Sequence, residues 1–534
     1  VQYNIADLFE SVADAIPEKP SVVSGATRLT FRELDVRATQ LANALTERGI
    51  RPGDHIGLYL YNRAEFLEAM LAAFKIRAVP ININYRYVEE ELAYLFKNAD
   101  LVAIFVQREL VGRAVAVTDR VPNLRTIVVV EDGSSTPLSN GALEYEKVLA
   151  AGSSERRFGP RSGRDHYIIY TGGTTGMPRG VVWQHEDVLF AGLQGGNAGG
   201  PPIERPEELA EIVASKEEPL TFLPAAPFIH GAAQWAALIG LFGGGKVVLQ
   251  PGRSFNAAEV CALVTREKVN TLTFVGDAMA RPIVDALKEP GAAFDMSSLI
   301  VIASAGAVLS DAVKGELEEH LPNVMVLNNF GATETGHQGM GGFGEASGGK
   351  PSFAMDESNT VLGDDMRPIT PGSGTMGKLA RRGHLPIGYY NDPEKTAATF
   401  VTVDGERWVI PGDLATIEED GRITVFGRGA VCINTGGEKV FPEEVEAALK
   451  AHAGVMDAVV VGVPDEKWGQ RVAAIVQPRV GADITLAALE AHCRTRIAGY
   501  KIPKQLSLVA EMVRHPSGKP DYRWAATTAR EGRP

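Results

Sequence analysis

The sequence predicts an α/β protein: a large multi-subdomain N-terminal domain, with two α/β sheets and a β-rich subdomain, and a small α+β C-terminal domain. Three observations lead there. Strand-like and helix-like runs alternate through most of the chain. The strand runs are continuously apolar, as in parallel sheets covered by helices on both faces. Beyond about Gly372, short strands alternate with Gly/Pro-rich turns, and from Phe441 a compact unit of ordinary domain size follows.

The elements follow in order. Thr30-Phe-Arg-Glu33 has the pattern of a capping box, in which the Thr hydroxyl and the Glu carboxylate satisfy orphan N–H groups. The helix behind it carries Leu34, Ala38, Leu41 and Leu45 on one face and stops at Gly49. Next come a strand at His55–Leu60, a helix at Ala64–Phe74, an extended run at Val79–Ile83, a helix at Glu89–Lys97 and a strand at Leu101–Val106. The rhythm returns in strands at Lys246–Leu249, Thr271–Val275, Leu299–Ala303 and Val324–Leu327. Residues 196–218 read as a polar, Gly/Pro/Glu-rich excursion. Short strands at Trp408–Ile410, Leu414–Ile417 and Ile423–Phe426 form the β-rich part. A helix opens at Pro442, followed by strands at Ala458–Val463 and Arg471–Gln477 and a helix at Leu486–Ile497. The domains are expected at 1–427 and 428–534, divided near Gly427-Arg428-Gly429.

The chain has 534 residues, room for three to four units at about 150 residues each. Lys and Arg number 53 against 66 Asp and Glu, a net charge of −13. Such a chain is a poor non-specific binder of nucleic acid, and a polyanionic ligand needs a local positive site. Cys261, Cys432 and Cys493 lie far apart, without metal-ligand spacing, which points to a reducing, cytoplasmic setting. The N-terminal turns are acidic and unlike a signal peptide, and the apolar stretch 231–245 is too short to span a bilayer.

The most informative segment is Tyr170-Thr171-Gly172-Gly173-Thr174-Thr175-Gly176-Met-Pro-Arg179-Gly180. A loop so rich in Gly and Thr turns many N–H groups and hydroxyls toward one anion, and Arg179 adds fixed positive charge. It lacks the Gly-Lys-Ser/Thr ending of a Walker A loop. Gly372-Ser-Gly374-Thr-Met-Gly377 matches a dinucleotide fingerprint only as a string; it follows Pro371 and reads as a turn. His452 and Asp457 bracket a turn into a strand and read as structural.

Six ordered motifs, spread over essentially the whole chain, resemble the adenylate-forming superfamily of acyl- and aryl-CoA synthetases, adenylation domains and luciferase. The phosphate loop is the first. Ser304-Ala-Gly306-Ala307 resembles the segment along the adenine, and Asn328-Asn329-Phe330-Gly331-Ala-Thr333-Glu334 the Tyr-Gly-x-Thr-Glu motif. The stretch from Trp408 ends in Gly-Asp413. Gly427-Arg428 and Gly436-Gly437-Glu438 resemble the hinge and the start of a mobile lid, and Pro516-Ser-Gly-Lys519 the terminal lysine motif.

The resemblance implies an ATP-dependent acyl-CoA synthetase acting through an acyl-adenylate, on a medium/long-chain fatty or steroid-derived acid. An aryl-CoA ligase and a carrier-loading adenylation enzyme are the alternatives. ATP, Mg²⁺ and CoA are the implied cofactor and co-substrates, a small carboxylic acid the partner, and a homodimer is left open. Thr174, Thr175 and Arg179 would hold the outer phosphates, with Thr171, Gly172 and Gly173 in the same loop. Thr333 would contact the α-phosphate, Glu334 ligate Mg²⁺, and Phe330 stack on adenine beside Gly306, Ala307, Asn328, Asn329 and Gly331. Asp413 and Arg428 would meet the ribose, and Lys519 bridge carboxylate and α-phosphate. His230, Trp235, Val275, Gly276, Ser304 and His337 are expected on the acyl side, and Gly436, Gly437 and Glu438 on the CoA side. The chain departs from the family pattern at Gly173 (commonly Ser), Arg179 (Lys), Phe330 (Tyr), Pro411 (Thr) and Ala430 (Asp or Lys).

Overall fold

The computed structural model describes residues 2–138, 141–171, 177–291, 293–307, 309–343, 351–428, 431–435, 438–465, 469–497, 499–515 and 519–532. Two large sheets carry the N-terminal part. In the first, Val79–Asn82, His55–Tyr59, Leu101–Gln107 and Thr126–Val130 run parallel in that spatial order. Their residues are almost all buried, as continuous Val/Ile/Leu runs require of strands covered on both faces. On the other side of Val79–Asn82 lies the hairpin His166–Thr171 and Arg179–Gln184, edged by Gly388–Tyr389.

The second sheet has a parallel centre of Pro20–Ser24, Lys246–Leu249, Thr221–Pro224, Thr271–Phe274, Val301–Ser304 and Met325–Ala332. It does not stop there. Antiparallel strands Gly336–Phe343, Pro351–Met355, Ile423–Arg428, Asp413–Ile417 and Gly377–Arg381 continue it, so the β-rich part is hydrogen-bonded onto the second sheet. The strand expected at Val324–Leu327 extends to Ala332 because Gly336–Phe343 folds back on it. Gly331 makes that turn tight: a Cβ there would lie 2.2 Å from the Gly336 carbonyl oxygen.

The third sheet pairs Val455–Asp465 with Gly469–Pro478, flanked by Gln505–Leu508 and Ile433–Thr435. Its two faces bury separate apolar clusters, one under the helices Pro442–Lys450 and Leu486–Arg494, the other under Tyr522–Glu531. The capping box forms as read: the Glu33 N–H donates to Thr30 Oγ1 at 3.2 Å and the Thr30 N–H to Glu33 Oε2 at 2.8 Å. The excursion 196–218 needs correction, because Glu208–Ser215 is a helix. Leu209 and Val213, one helical turn apart, are buried where it packs on Ile5–Ala15. Among the described residues no helix is long and apolar enough to cross a membrane.

One buried cation ties three N-terminal helices together. Lys75 Nζ donates to Glu10 Oε1 at 2.5 Å and Asp35 Oδ1 at 2.6 Å, with its side chain fully buried. Lys75→Met keeps most of the stem and leaves two carboxylates without that charge. It should destabilise the first urea unfolding transition by about 3 kcal/mol. Equilibrium unfolding followed by fluorescence measures this, and an unchanged midpoint contradicts it.

Candidate active site

The two large sheets and the small C-terminal unit meet around a cavity of about 330 Å³. From the first sheet come Thr171 and Arg179, cross-strand partners at the base of the hairpin whose tip is the Gly/Thr loop. Gly172, Gly173, Thr174 and Thr175 in that tip lie outside the described residues. Arg179 Nε reaches Asp392 Oδ2 at 2.9 Å, so its charge is shared with the N-cap of the helix Pro393–Thr399. Lys395, from the same helix, also lines the cavity and was not anticipated.

The second sheet contributes Gly306, Ala307 and the run Asn328 to Glu334. Thr333 and Glu334 sit in the turn between two antiparallel strands. Two hydrogen bonds from the first sheet fasten that turn. Trp183 Nε1 donates to the Thr333 carbonyl at 2.9 Å, and Tyr389 Oη donates to Glu334 Oε1 at 2.9 Å. The Phe330 ring tilts against Phe353 with centroids 4.9 Å apart. Asp413 lines the cavity and pairs in strand register with Arg428, whose side chain lies outside the described residues. Lys519 completes the lining from the C-terminal unit, beside Pro520 and Tyr522.

The residues expected on the acyl side lie outside this cavity. Ser304 is fully buried and its Oγ accepts the Gly276 N–H at 3.0 Å, so both hold the start of one helix to a neighbouring strand. Val275 is that helix's N-cap; its first-turn residues Asp277 and Ala278 are the ones that face the cavity. His230 caps the helix Gly231–Phe242, and Trp235 in that helix packs edge-on against Trp183, one layer behind Thr333. His337 Nε2 lies 3.3 Å from Asn329 Oδ1, and burial, then the Arg381 charge, lowers its pKa. Glu438 begins a strand of the third sheet with its side chain outside the described residues, as are Gly436 and Gly437.

Like Asp277 and Lys395, Glu443, Lys450 and Arg514 line the cavity without belonging to any motif that announces them. Glu443 and Lys450 lie on the helix that opens at Pro442, where the sequence marks only the helix start. A helical period says which side chains share a face, but not which face meets another domain. The Glu443 carboxyl lies so close to Gly427 that a Cβ there would meet Oε1 at 2.6 Å. Its Oε2 is buried without a hydrogen-bond partner among the described residues.

The family model for AMP-binding enzymes matches residues 9–390, and that for the AMP-binding enzyme C-terminal domain matches residues 444–519. The chain belongs to the AMP-binding enzyme family. It is 48% identical to the medium/long-chain-fatty-acid–CoA/3-oxocholest-4-en-26-oate–CoA ligase of Mycolicibacterium smegmatis, over 99% of this chain and 97% of that one. It is also 48% identical to the 3-oxocholest-4-en-26-oate–CoA ligase of Rhodococcus rhodochrous, over 98% and 95% of the two chains. Among solved structures it superposes on an anthranilate CoA ligase, AuaEII, in complex with anthranoyl-AMP, with a TM-score of 0.84 at 24% identity over 99% and 98% of the chains. ATP-bound MatB from Rhodopseudomonas palustris gives 0.80 at 24% identity over 99% of each chain. These structures share the fold. This member is an AMP-forming acid–thiol ligase that uses ATP and CoA on a small carboxylic acid.

Glu443 supplies a test of the cavity's electrostatics. Burial first, then the charges of Glu446 and Asp413, push its pKa from 4.5 up to about 8. The folded value lies above the unfolded one, so the protonated group favours the folded state at low pH. That contribution is lost as pH rises from about 4.5 through about 8. Glu443→Gln is neutral and isosteric, so it should melt above the wild type near pH 9 and together with it near pH 5. Thermal melts across that range measure the difference, and parallel curves contradict it.

Proposed function

We propose that this ligase activates medium-to-long-chain or polycyclic apolar monocarboxylic acids. The observation that carries it is the helix Gly231–Phe242, which is nearly all buried, behind Thr333, and carries no charged side chain. A second charge on the substrate would find no partner there, whereas each buried methylene contributes about 0.8 kcal/mol. The fatty-acid and steroid-acid relatives support the same reading, and neither an aryl-CoA nor a carrier-loading activity is favoured by them.

The carboxylate oxygen attacks the α-phosphorus of ATP, and pyrophosphate leaves. The thiol of CoA then attacks the acyl carbonyl, and AMP leaves. Arg179, with Thr174 and Thr175, holds the outer phosphates; Thr333 meets the α-phosphate. Asp413 accepts from the ribose hydroxyls with Arg428 beside it, and Phe330 lies along the adenine near Gly306, Ala307, Asn328 and Asn329. Lys519 places positive charge between carboxylate and α-phosphate, where negative charge develops in the first step. Glu334 offers a buried carboxylate oxygen of the type Mg²⁺ prefers, and an ion shared with the triphosphate would neutralise phosphate charge. Lys519 at the cavity, beside the residues read as holding ATP, supports an arrangement suited to adenylation. We place the mobile boundary at 427/428, with the Gly436–Glu438 face acting in the CoA step. Three free cysteines suit action in the cytoplasm.

Two measurements follow. Lys519→Ala should slow acyl-adenylate formation by a factor of about 10² or more and spare thioester formation from supplied acyl-adenylate. Equal losses in both half-reactions of a folded variant contradict that role. Across acetate, octanoate, a steroid side-chain acid, a cinnamic acid and an amino acid, kcat/KM should peak at octanoate or the steroid acid. A peak at acetate, the cinnamic acid or the amino acid overturns the substrate class.

A further inference from the structure

We propose that Asp277 and Lys450 form the latch that holds the C-terminal unit with Lys519 at the cavity, and that this contact breaks before the CoA step. The proposal rests on the two-step ligase reading above. Neither residue lies in the motifs that identify the family.

The two side chains come from opposite sides of the domain seam. Asp277 opens the helix Gly276–Lys288 of the large domain, and Lys450 closes the helix Pro442–Lys450 of the small one. Lys450 Nζ lies 3.3 Å from Asp277 Oδ2, and each side chain is only 7% exposed. On its own side, Asp277 is already oriented: its Oδ1 accepts the Ser310 N–H at 2.8 Å. On the other side, Lys450 faces Asp457 at 3.9 Å. Asp457 in turn accepts from Arg514 Nε and Nη2, both at 2.6 Å. Arg514 is bridged across antiparallel backbone to Pro520, the neighbour of Lys519. A line of alternating charge therefore runs from the large domain to the turn that carries Lys519.

Burial makes this pair selective for one arrangement. Asp277 and Lys450 are both withdrawn from water in this arrangement, and separating the two units would part the pair. Removing one partner leaves the other charge buried in this arrangement and changes little in a separated one. Such a difference between states is what shifts a conformational equilibrium. Another pair of opposite charges across the seam, Arg479 and Asp285, is 3.6 Å apart with side chains 32% and 38% exposed. Water screens a pair that open, so it contributes little.

Lys450→Met, Lys450→Arg, Asp277→Asn and the Lys450→Met/Asp277→Asn double variant test the latch. Acid-dependent ATP–pyrophosphate exchange reads the first step, and thioester formation from supplied acyl-adenylate reads the second. Thermal melts check folding. Asp277→Asn keeps an acceptor for Ser310, so it remains informative if Lys450→Met does not fold. Lys450→Met and Asp277→Asn should each slow exchange about tenfold or more, in kcat rather than KM, and leave thioester formation within about twofold. Lys450→Arg should keep exchange near the wild-type rate, and the double variant should be no slower than the slower single one. Equal losses in both steps, no loss in either, or losses that multiply in the double variant overturn the latch. Wild-type protein that shows neither reaction with any acid overturns the ligase reading itself.

Discussion

The site depends on one tight turn held between two sheets. Thr333 and Glu334 belong to the second sheet by chain connection, but their fixed positions come from the first. The Trp183 indole grips the Thr333 carbonyl, and the Tyr389 hydroxyl grips the Glu334 carboxylate. Apolar packing between the sheets is non-directional and tolerates sliding, whereas these two bonds have fixed partners and lengths. With them, the Arg179 hairpin and the Thr-Glu turn are set at one separation. The same turn needs Gly331 against Gly336, since any side chain there would collide with backbone. Arg179 and Thr333, far apart in sequence, thus line one cavity, with two polar contacts and one missing methyl group holding the turn.

The C-terminal unit closes that cavity with a different kind of surface. Its contribution is dense in charge: Glu443, Glu446, Lys450 and Arg514 all lie at the seam. Burial raises the pKa of Glu446 as it does that of Glu443, whereas the Arg514 charge outweighs burial at Asp457 and holds that carboxyl low. Apolar packing across the seam would bind the units more firmly, but it would discriminate poorly among orientations. Charges that must meet their partners discriminate sharply, because a misplaced buried charge is costly.

Much of the framework was legible because local rules and global packing agree. The continuous apolar runs became buried parallel strands at His55–Tyr59 and Leu101–Gln107, and Thr30 and Glu33 formed their box. The phosphate hairpin, Glu334, Asp413 and Lys519 were legible through ordered motifs, and they line one cavity save for the loop tip that is not described. What stayed hidden depends on orientation rather than residue type. Val275 and Gly276 were expected at a pocket, yet the next two residues, Asp277 and Ala278, face the cavity, because the helix starts with the Gly276 N–H donated to the Ser304 hydroxyl. Lys395 and Lys450 look like ordinary helix-surface lysines until another element is placed against them. The helix at Glu208–Ser215 was missed for a compositional reason: its acidic residues masked a short apolar face.

The continuous second sheet also has a mechanical consequence. Its strand Ile423–Arg428 lies between Pro351–Met355 and Asp413–Ile417, and the third sheet begins at Ile433. Both ends of the connection are thus clamped into hydrogen-bonded plates. Residues 429–432 lie between them, and the five Cα–Cα steps from Arg428 to Ile433 span at most about 18 Å fully extended. The start of the third sheet is thereby kept within that reach of the second, so the small unit's placements are limited by chain length as well as by packing.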